Sequence, residues 1–169
     1  MNEVIEALEQ RRSCRKFSDK PVEDEKVKQI VEAGLYAASG NGRQATHLVV
    51  VTNPDDVAQL SRMNATIMGA EGDPFYGAKT VIVVLTDPAV STCVEDGALV
   101  MGNLMNAAHA LGVGSCWIHR AHEEFDSDEG KALLKKWGIE GEWVGVGHCI
   151  LGYPAADPKP AAPRKPDYI

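Results

Sequence analysis

The chain has 169 residues, 44% of them apolar and 24% charged, and a formal net charge of −7. This is the composition of a globular protein long enough to bury a proper core as one domain, residues 1–169. The acidic balance argues against nucleic-acid or membrane-surface binding, and no stretch approaches the roughly 20 apolar residues needed to span a bilayer. Met1 to Gln10 has nothing of a signal peptide. Cys14, Cys93, Cys116 and Cys149 form no C-x-x-C pair and no metal-ligand spacing. The expected location is the cytoplasm, with four reduced thiols.

Asn2 to Arg11 is predicted as a first helix, with Val4, Ile5 and Leu8 on one face. RRSCRK, Arg11 to Lys16, then gathers four cations and a hydroxyl in six residues. Arg11 and Arg12 would gain about 0.3 to 1 kcal/mol from the macrodipole at a helix C-terminus. That leaves Ser13, Arg15 and Lys16 unexplained. A short irregular segment bearing Arg, Arg, Ser and Arg can aim several donors at one anion, such as a phosphate. On the residues alone both readings stay open. Cys14 lies among these cations, which are expected to lower its thiol pKa and open it to oxidants.

Pro21 opens a second helix, Glu23 to Ala38, whose apolar positions follow the 3.6-residue period. Ser39 to Gln44 is a polar, glycine-bearing loop. His47 to Thr52 reads as a buried strand. Asn53-Pro54-Asp55 starts a short helix to Arg62, and Met63 to Gly77 is the least regular part. Thr80 to Leu85, TVIVVL, is the clearest buried strand. Val94 to Leu111 is a helix apolar nearly all round, which must be covered on every side. A subunit interface would do this, and so would a central place in the core. Gly112 to Ile118 reads as a strand, Ser127 to Trp137 as an exposed helix, and Trp143 to Leu151 as a last strand. This order predicts a mixed sheet covered by helices. From Pro154 to Ile169 five prolines exclude a helix. The segment is either a frayed end or an extended arm laid across another surface, with Arg164-Lys165 as a second cationic point.

Other chemistries find little support. There is no G-x-x-x-x-G-K-[ST], no G-x-G-x-x-G opening a helix and no G-x-S-x-G. His119 and His122, with Glu123 beside them, form H-x-x-H rather than H-E-x-x-H and have no third ligand of obvious spacing, so no metal is expected. Cys116, in an apolar strand, reads as a core residue rather than a nucleophile.

Four blocks together resemble the FMN-dependent nitroreductase family. RRSCRKF, Arg11 to Phe17, is similar to the family's R-R-S-x-R-x-F. AASGNGRQATHLVVV, Ala37 to Val51, resembles its P-S-x-x-N-x-Q-P-W loop and first strand. EDGALVMGNLMNAAHALGVGSCWI, Glu95 to Ile118, resembles its long helix followed by G-[LI]-G-S-C-W-I. LGYP, Leu151 to Pro154, with Arg164 ten residues on, resembles its last strand and phosphate-binding arginine. The resemblance implies an α+β fold: a largely antiparallel central sheet, helices on both faces in three layers, and a dimer whose C-terminal arm (154–169) embraces the partner.

It also implies FMN as cofactor. Arg11, Arg12 and Arg164, with Lys165 beside it, would hold the phosphate. Ser13 would bind the phosphate or ribityl chain, and Arg15 would lie near the N1–O2 edge of the ring. Trp117, Ile118, His119 and Arg120 would flank the ring, with a backbone N–H near His119 or Arg120 facing N5. Ser39 and Gln44, with Asn41 and Arg43 on the substrate side, would come from the other subunit. The implied activity is ping-pong reduction of nitroaromatics or quinones by NADH or NADPH, with no catalytic side chain. A flavin protein that stores or senses FMN, or a flavin enzyme for dehalogenation or metabolite oxidation, are the alternatives. Departures fall on the substrate side: the usual asparagine is Gly42, the usual proline and tryptophan are Ala45 and Thr46, and the usual glycine is His119. Because Met63 to Gly77 leaves little room for the lid helices of larger members, an open, permissive site is expected.

Overall fold

TVIVVL becomes the middle of the molecule. A computed structural model describes residues 2–167. Met1, and Tyr168 and Ile169 at the tip of the expected arm, lie outside the described residues. The strands are β1 (Thr46–Val51), β2 (Thr80–Thr86), β3 (Gly114–Ile118) and β4 (Val144–Gly152), in the order β1-β2-β4-β3. Every adjacent pair is antiparallel. All seven residues of β2 are buried. Val81, Val83 and Leu85 enter one apolar cluster, and Ile82 and Val84 the other, because successive side chains leave opposite faces of a strand. Each such burial is worth about 1.5–3 kcal/mol, so a strand with five consecutive apolar residues needs cover on both sides.

Helices supply that cover. The helices are α1 (Glu3–Gln10), α2 (Asp24–Leu35), α3 (Pro54–Met68), α4 (Cys93–Ala110), α5 (Ala121–Asp126) and α6 (Asp128–Lys136). On one face α2 and α4 pack Val27, Ile30, Met101 and Leu104 against the sheet. On the other, α3, α5 and α6 bring Leu60, Met63, Phe125 and Leu133. The result is the expected three-layer α+β architecture. The approach of α4 is close: a Cβ on Gly97 would stand 2.6 Å from Val146 Cγ2, and one on Gly34 of α2 2.6 Å from Leu104 Cδ2.

Several expectations are corrected. The helix expected to stop at Arg62 runs on to Met68, so Met63–Met68 is regular. Asn53 caps its start through bonds from Asp55 and Asp56 N–H, and Gly69 ends it at φ 66°. Helix α5 was not foreseen, because its buried face carries a charged residue, Glu124, beside Ala121 and Phe125. Helix α6 is not wholly exposed; Gly130, Leu133 and Leu134 are buried. Within one chain α4 is covered on one side only: Val94 is 53% exposed and Leu99 51%. The mixed character of the sheet shrinks to one isolated parallel bridge, Ser13–Ser115. Other element ends move by one to three residues.

Candidate functional site

The cationic block is stitched along the edge of the sheet, beside β3 and the end of β4. Cys14 N–H donates to Ser115 O at 2.8 Å and Ser18 N–H to Tyr153 O at 2.8 Å. Ala155 N–H returns the link to Lys16 O at 3.0 Å. Both ends of the chain are therefore fixed side by side. Where the tail leaves the sheet, Tyr153 is clamped. Its hydroxyl donates to Glu23 and accepts from Lys26 Nζ at 3.0 Å, and Lys20 Nζ lies 4.2 Å from its ring centroid. The tyrosine's bond holds the Glu23 carboxyl down at about 2.

This stitching makes a cleft of about 830 Å³ lined by Arg11, Arg12, Ser13, Arg15 and Arg164, with Ser115 on its wall. The donors in it are unusually placed. Arg11 Nη1, Arg12 Nε and Ser115 Oγ are buried and have no hydrogen-bond partner. A buried donor without an acceptor costs about 1–3 kcal/mol, and more when charged; an anion in the cleft removes that cost. Arg12 bears out the helix-end reading and leaves one donor over. Its Nη1 donates to Glu9 O at 2.6 Å and Arg11 O at 2.7 Å, at the end of α1, while Nε stays without a partner. Arg164 Nη2 donates to Ala162 O at 2.7 Å. Lys165 follows it but does not line the cleft.

Sequence reasoning missed His109 and Lys159, which also line the cleft. His109 closes the last turn of α4 and Lys159 sits among the tail prolines, so neither position announces itself by spacing. Cys14 lines the cleft too, but the expected low pKa is overturned: burial pushes its thiol up in spite of the cations. Cys116 is 2% exposed, in the core as expected.

The remaining candidates lie elsewhere. Ser39 opens the Gly40–Gly42 turn and its Oγ accepts from Gln44 N–H at 3.1 Å. Asn41 and Gln44 both adopt positive φ, 53° and 51°, and Arg43 between them is exposed. Buried Asp96, in the first turn of α4, holds this loop. Its carboxylate accepts from Gly40 N–H at 2.9 Å and from Thr92 Oγ1 at 3.0 Å. The cleft lies at the other end of α4, beside His109 and Gly112. At 1.5 Å per residue, Asp96 and His109 are about 20 Å apart. One copy of the chain therefore does not bring Ser39, Asn41, Arg43 and Gln44 to the cleft.

Nor do Trp117, Ile118, His119 and Arg120 line it. They begin two residues beyond Ser115, about 7 Å away at Trp117 and about 10 Å at Ile118 at 3.3 Å per residue, with His119 and Arg120 just past the end of β3. Trp117 packs on the α4 side with Nε1 buried and unpartnered. The Ile118 side chain is 6% exposed and belongs to the core, so only its backbone can meet a ligand. Arg120 has φ 77°, and its Nε donates to Asn64 Oδ1 at 3.0 Å. The strand thus joins an anion cleft to a polar corner, a length suited to an elongated ligand with its charge at one end.

Comparison with known proteins finds relatives of the same fold. A protein from Archaeoglobus fulgidus named as an NADH dehydrogenase/NAD(P)H nitroreductase is 31% identical over 159 residues, covering 91% of this chain and 87% of that one. The crystal structure of a nitroreductase with bound FMN from Bacteroides fragilis superposes with a TM-score of 0.91 at 27% identity, covering 100% of this chain and 98% of the other. A second FMN-bound nitroreductase, from Desulfitobacterium hafniense, gives 0.89 at 26% identity, again over 100% and 98%. The family described as nitroreductase matches residues 8–153 in one run. Sheet order, cleft and these likenesses converge, and the chain belongs to the nitroreductase family.

Proposed function

We propose that the protein is an FMN-dependent oxidoreductase that takes electrons from NADH or NADPH and passes them to small electron-poor acceptors such as nitroaromatics or quinones. One observation carries the reading: arginines from both ends of the chain line a single cleft in which Arg11 Nη1 and Arg12 Nε are buried without partners. Two flavin-bound relatives of nearly the same length and fold add support. When bound, FMN supplies the two-electron redox chemistry.

The chain's own part is to hold and polarise. Arg11, Arg12 and Arg164 hold the phosphate, with Lys165 adding positive charge behind them. Ser13 and the unpartnered Ser115 hydroxyl take the phosphate or the ribityl chain. Arg15 places a fixed cation where negative charge develops on the ring edge. Trp117 to Arg120 flank the ring. No side chain acts as nucleophile, and the acceptor's protons come from water.

The working unit is a homodimer, each copy forming one domain, 1–169, with 154–169 as its arm. The 20 Å along α4 supports this, because Ser39, Asn41, Arg43 and Gln44 meet a flavin only if a second copy brings them. Exposed apolar residues support it too. Helix α1 buries none of its residues and leaves Val4, Ile5 and Leu8 47–66% exposed, and Val94 and Leu99 on α4 are just over half exposed. The compartment is the cytoplasm, where four free thiols persist. No helix among the described residues is long and apolar enough to cross a membrane.

The test is the visible spectrum of the purified protein, followed by anaerobic mixing with NADH and NADPH. A yellow protein bleached by either nicotinamide and recoloured by a quinone or nitroaromatic is the expected result. Bleaching without turnover of any acceptor would mark a sensor or store. A colourless protein that does not take up added FMN would end the reading.

A further inference from the structure

Asn64 is 0% exposed, on a helix of the opposite layer, yet its side-chain amide spends both ends on one corner. Its Nδ2 donates to His119 O at 2.7 Å and its Oδ1 accepts from Arg120 Nε at 3.0 Å. Arg120 stands at φ 77°, in a region that side chains other than glycine rarely adopt. A strained backbone held by a buried side chain from another element is a feature to explain by function.

The geometry of the peptide decides what this grip does. The His119–Arg120 bond is trans, as are all the described peptide bonds, and in a trans peptide the C=O and N–H point in opposite directions. Tying His119 O to α3 therefore turns the Arg120 N–H away from α3. Among the described residues nothing accepts from that N–H. We infer that Asn64 is a positioning residue: by holding the His119–Arg120 peptide, it keeps the Arg120 N–H aimed as a fixed donor at a ring acceptor of the bound cofactor. The inference rests on the flavin reading. It assigns a task to a residue that touches no ligand itself. A fixed donor at a ring atom that differs in charge between oxidation states binds one state better than the other, so Asn64 biases the redox equilibrium.

The test compares wild type with Asn64→Asp. The carboxylate still accepts from Arg120 Nε, but it cannot donate to His119 O and repels it, so the peptide loses its hold. FMN is titrated into each protein, and the ratio of dissociation constants for reduced and oxidised flavin is read from the bound midpoint potential. The expected result is a change in that ratio of at least tenfold, about 30 mV for a two-electron couple, with oxidised flavin bound within threefold of wild type. An unchanged ratio in a folded, flavin-bound variant overturns the inference and leaves the flavin reading standing; wild type that binds no FMN overturns the reading itself. If the variant does not fold, wild type decides alone. In ¹⁵N-labelled protein the Arg120 amide is expected to shift and to exchange at least tenfold more slowly when FMN is added. An amide indifferent to FMN refutes the assignment.

Discussion

The two ends of α4 treat their polar groups in opposite ways. At the N-terminal end Asp96 is buried, and its carboxylate finds both partners within the chain, Gly40 N–H and Thr92 Oγ1. At the C-terminal end Arg11 Nη1 and Arg12 Nε are equally buried and find none. Burial without partners is costly, so the first end reads as scaffold and the second as a place completed by something else. The satisfied end holds a strained loop still, and the unsatisfied end waits for charge. In a dimer of this family both ends would serve one cofactor, each from a different copy.

The strongest blow to this contrast is Arg11→Ala with Arg15→Ala. Hydrogen bonds to charged groups contribute about 1.5–3 kcal/mol each, so FMN affinity is expected to fall by about a hundredfold or more. Size-exclusion elution should not change. Stoichiometric flavin in the purified variant would mean the cleft is misassigned. At the other end, Asp96→Ala strips the loop of its anchor and leaves half-buried donors unpaired. The expected loss is about 2 kcal/mol, roughly 4–8 °C in melting temperature for a chain of this size, with flavin affinity changing less than tenfold. An unaltered melting curve would show that Asp96 anchors nothing. Midway, Gly34→Ala sets a methyl against the end of Leu104. It should cost about 1 kcal/mol and disturb neither end; a shift in flavin affinity would reveal that the ends communicate through α2.

The smallest effect concerns the clamp on Tyr153. Glu23 is held at about 2 from an ordinary 4.5, chiefly by the tyrosine's hydrogen bond. A depressed carboxylate contributes stability that is complete above about 4.5 and fades as pH falls toward 2. Glu23 is exposed, so the contribution is small. Melting temperatures of wild type and Glu23→Gln should differ slightly at pH 5 and converge by pH 2. A difference constant across that range would show that the clamp does not titrate.

Much of the fold was legible because its elements carry unmixed signals. TVIVVL is apolar at every position after Thr80 and is buried at every position. Asn53 announced the start of α3 by its capping chemistry, though the end at Gly69 was missed amid polar residues. Helix α5 stayed hidden because Glu124 and His148 bond each other in full burial, so a charged letter stood for a core position. The RRSCRK block was visible as an excess of charge, but its thiol was misjudged. The sequence shows neighbours along the chain, whereas burial depends on what the fold lays over them.

By itself the sequence determined the four strands, every helix but α5, the cationic block and the family, since local periodicity, capping and short motifs are properties of consecutive residues. Only the tertiary structure decided that Arg164 joins Arg11 and Arg12 in one cleft, that Asn41 and Gln44 lie about 20 Å away along α4, and that Asn64 holds the His119–Arg120 corner. These are contacts between residues dozens of positions apart. They are set by the packing of α3 and α4 on opposite faces of one sheet, and no local pattern in the chain encodes them.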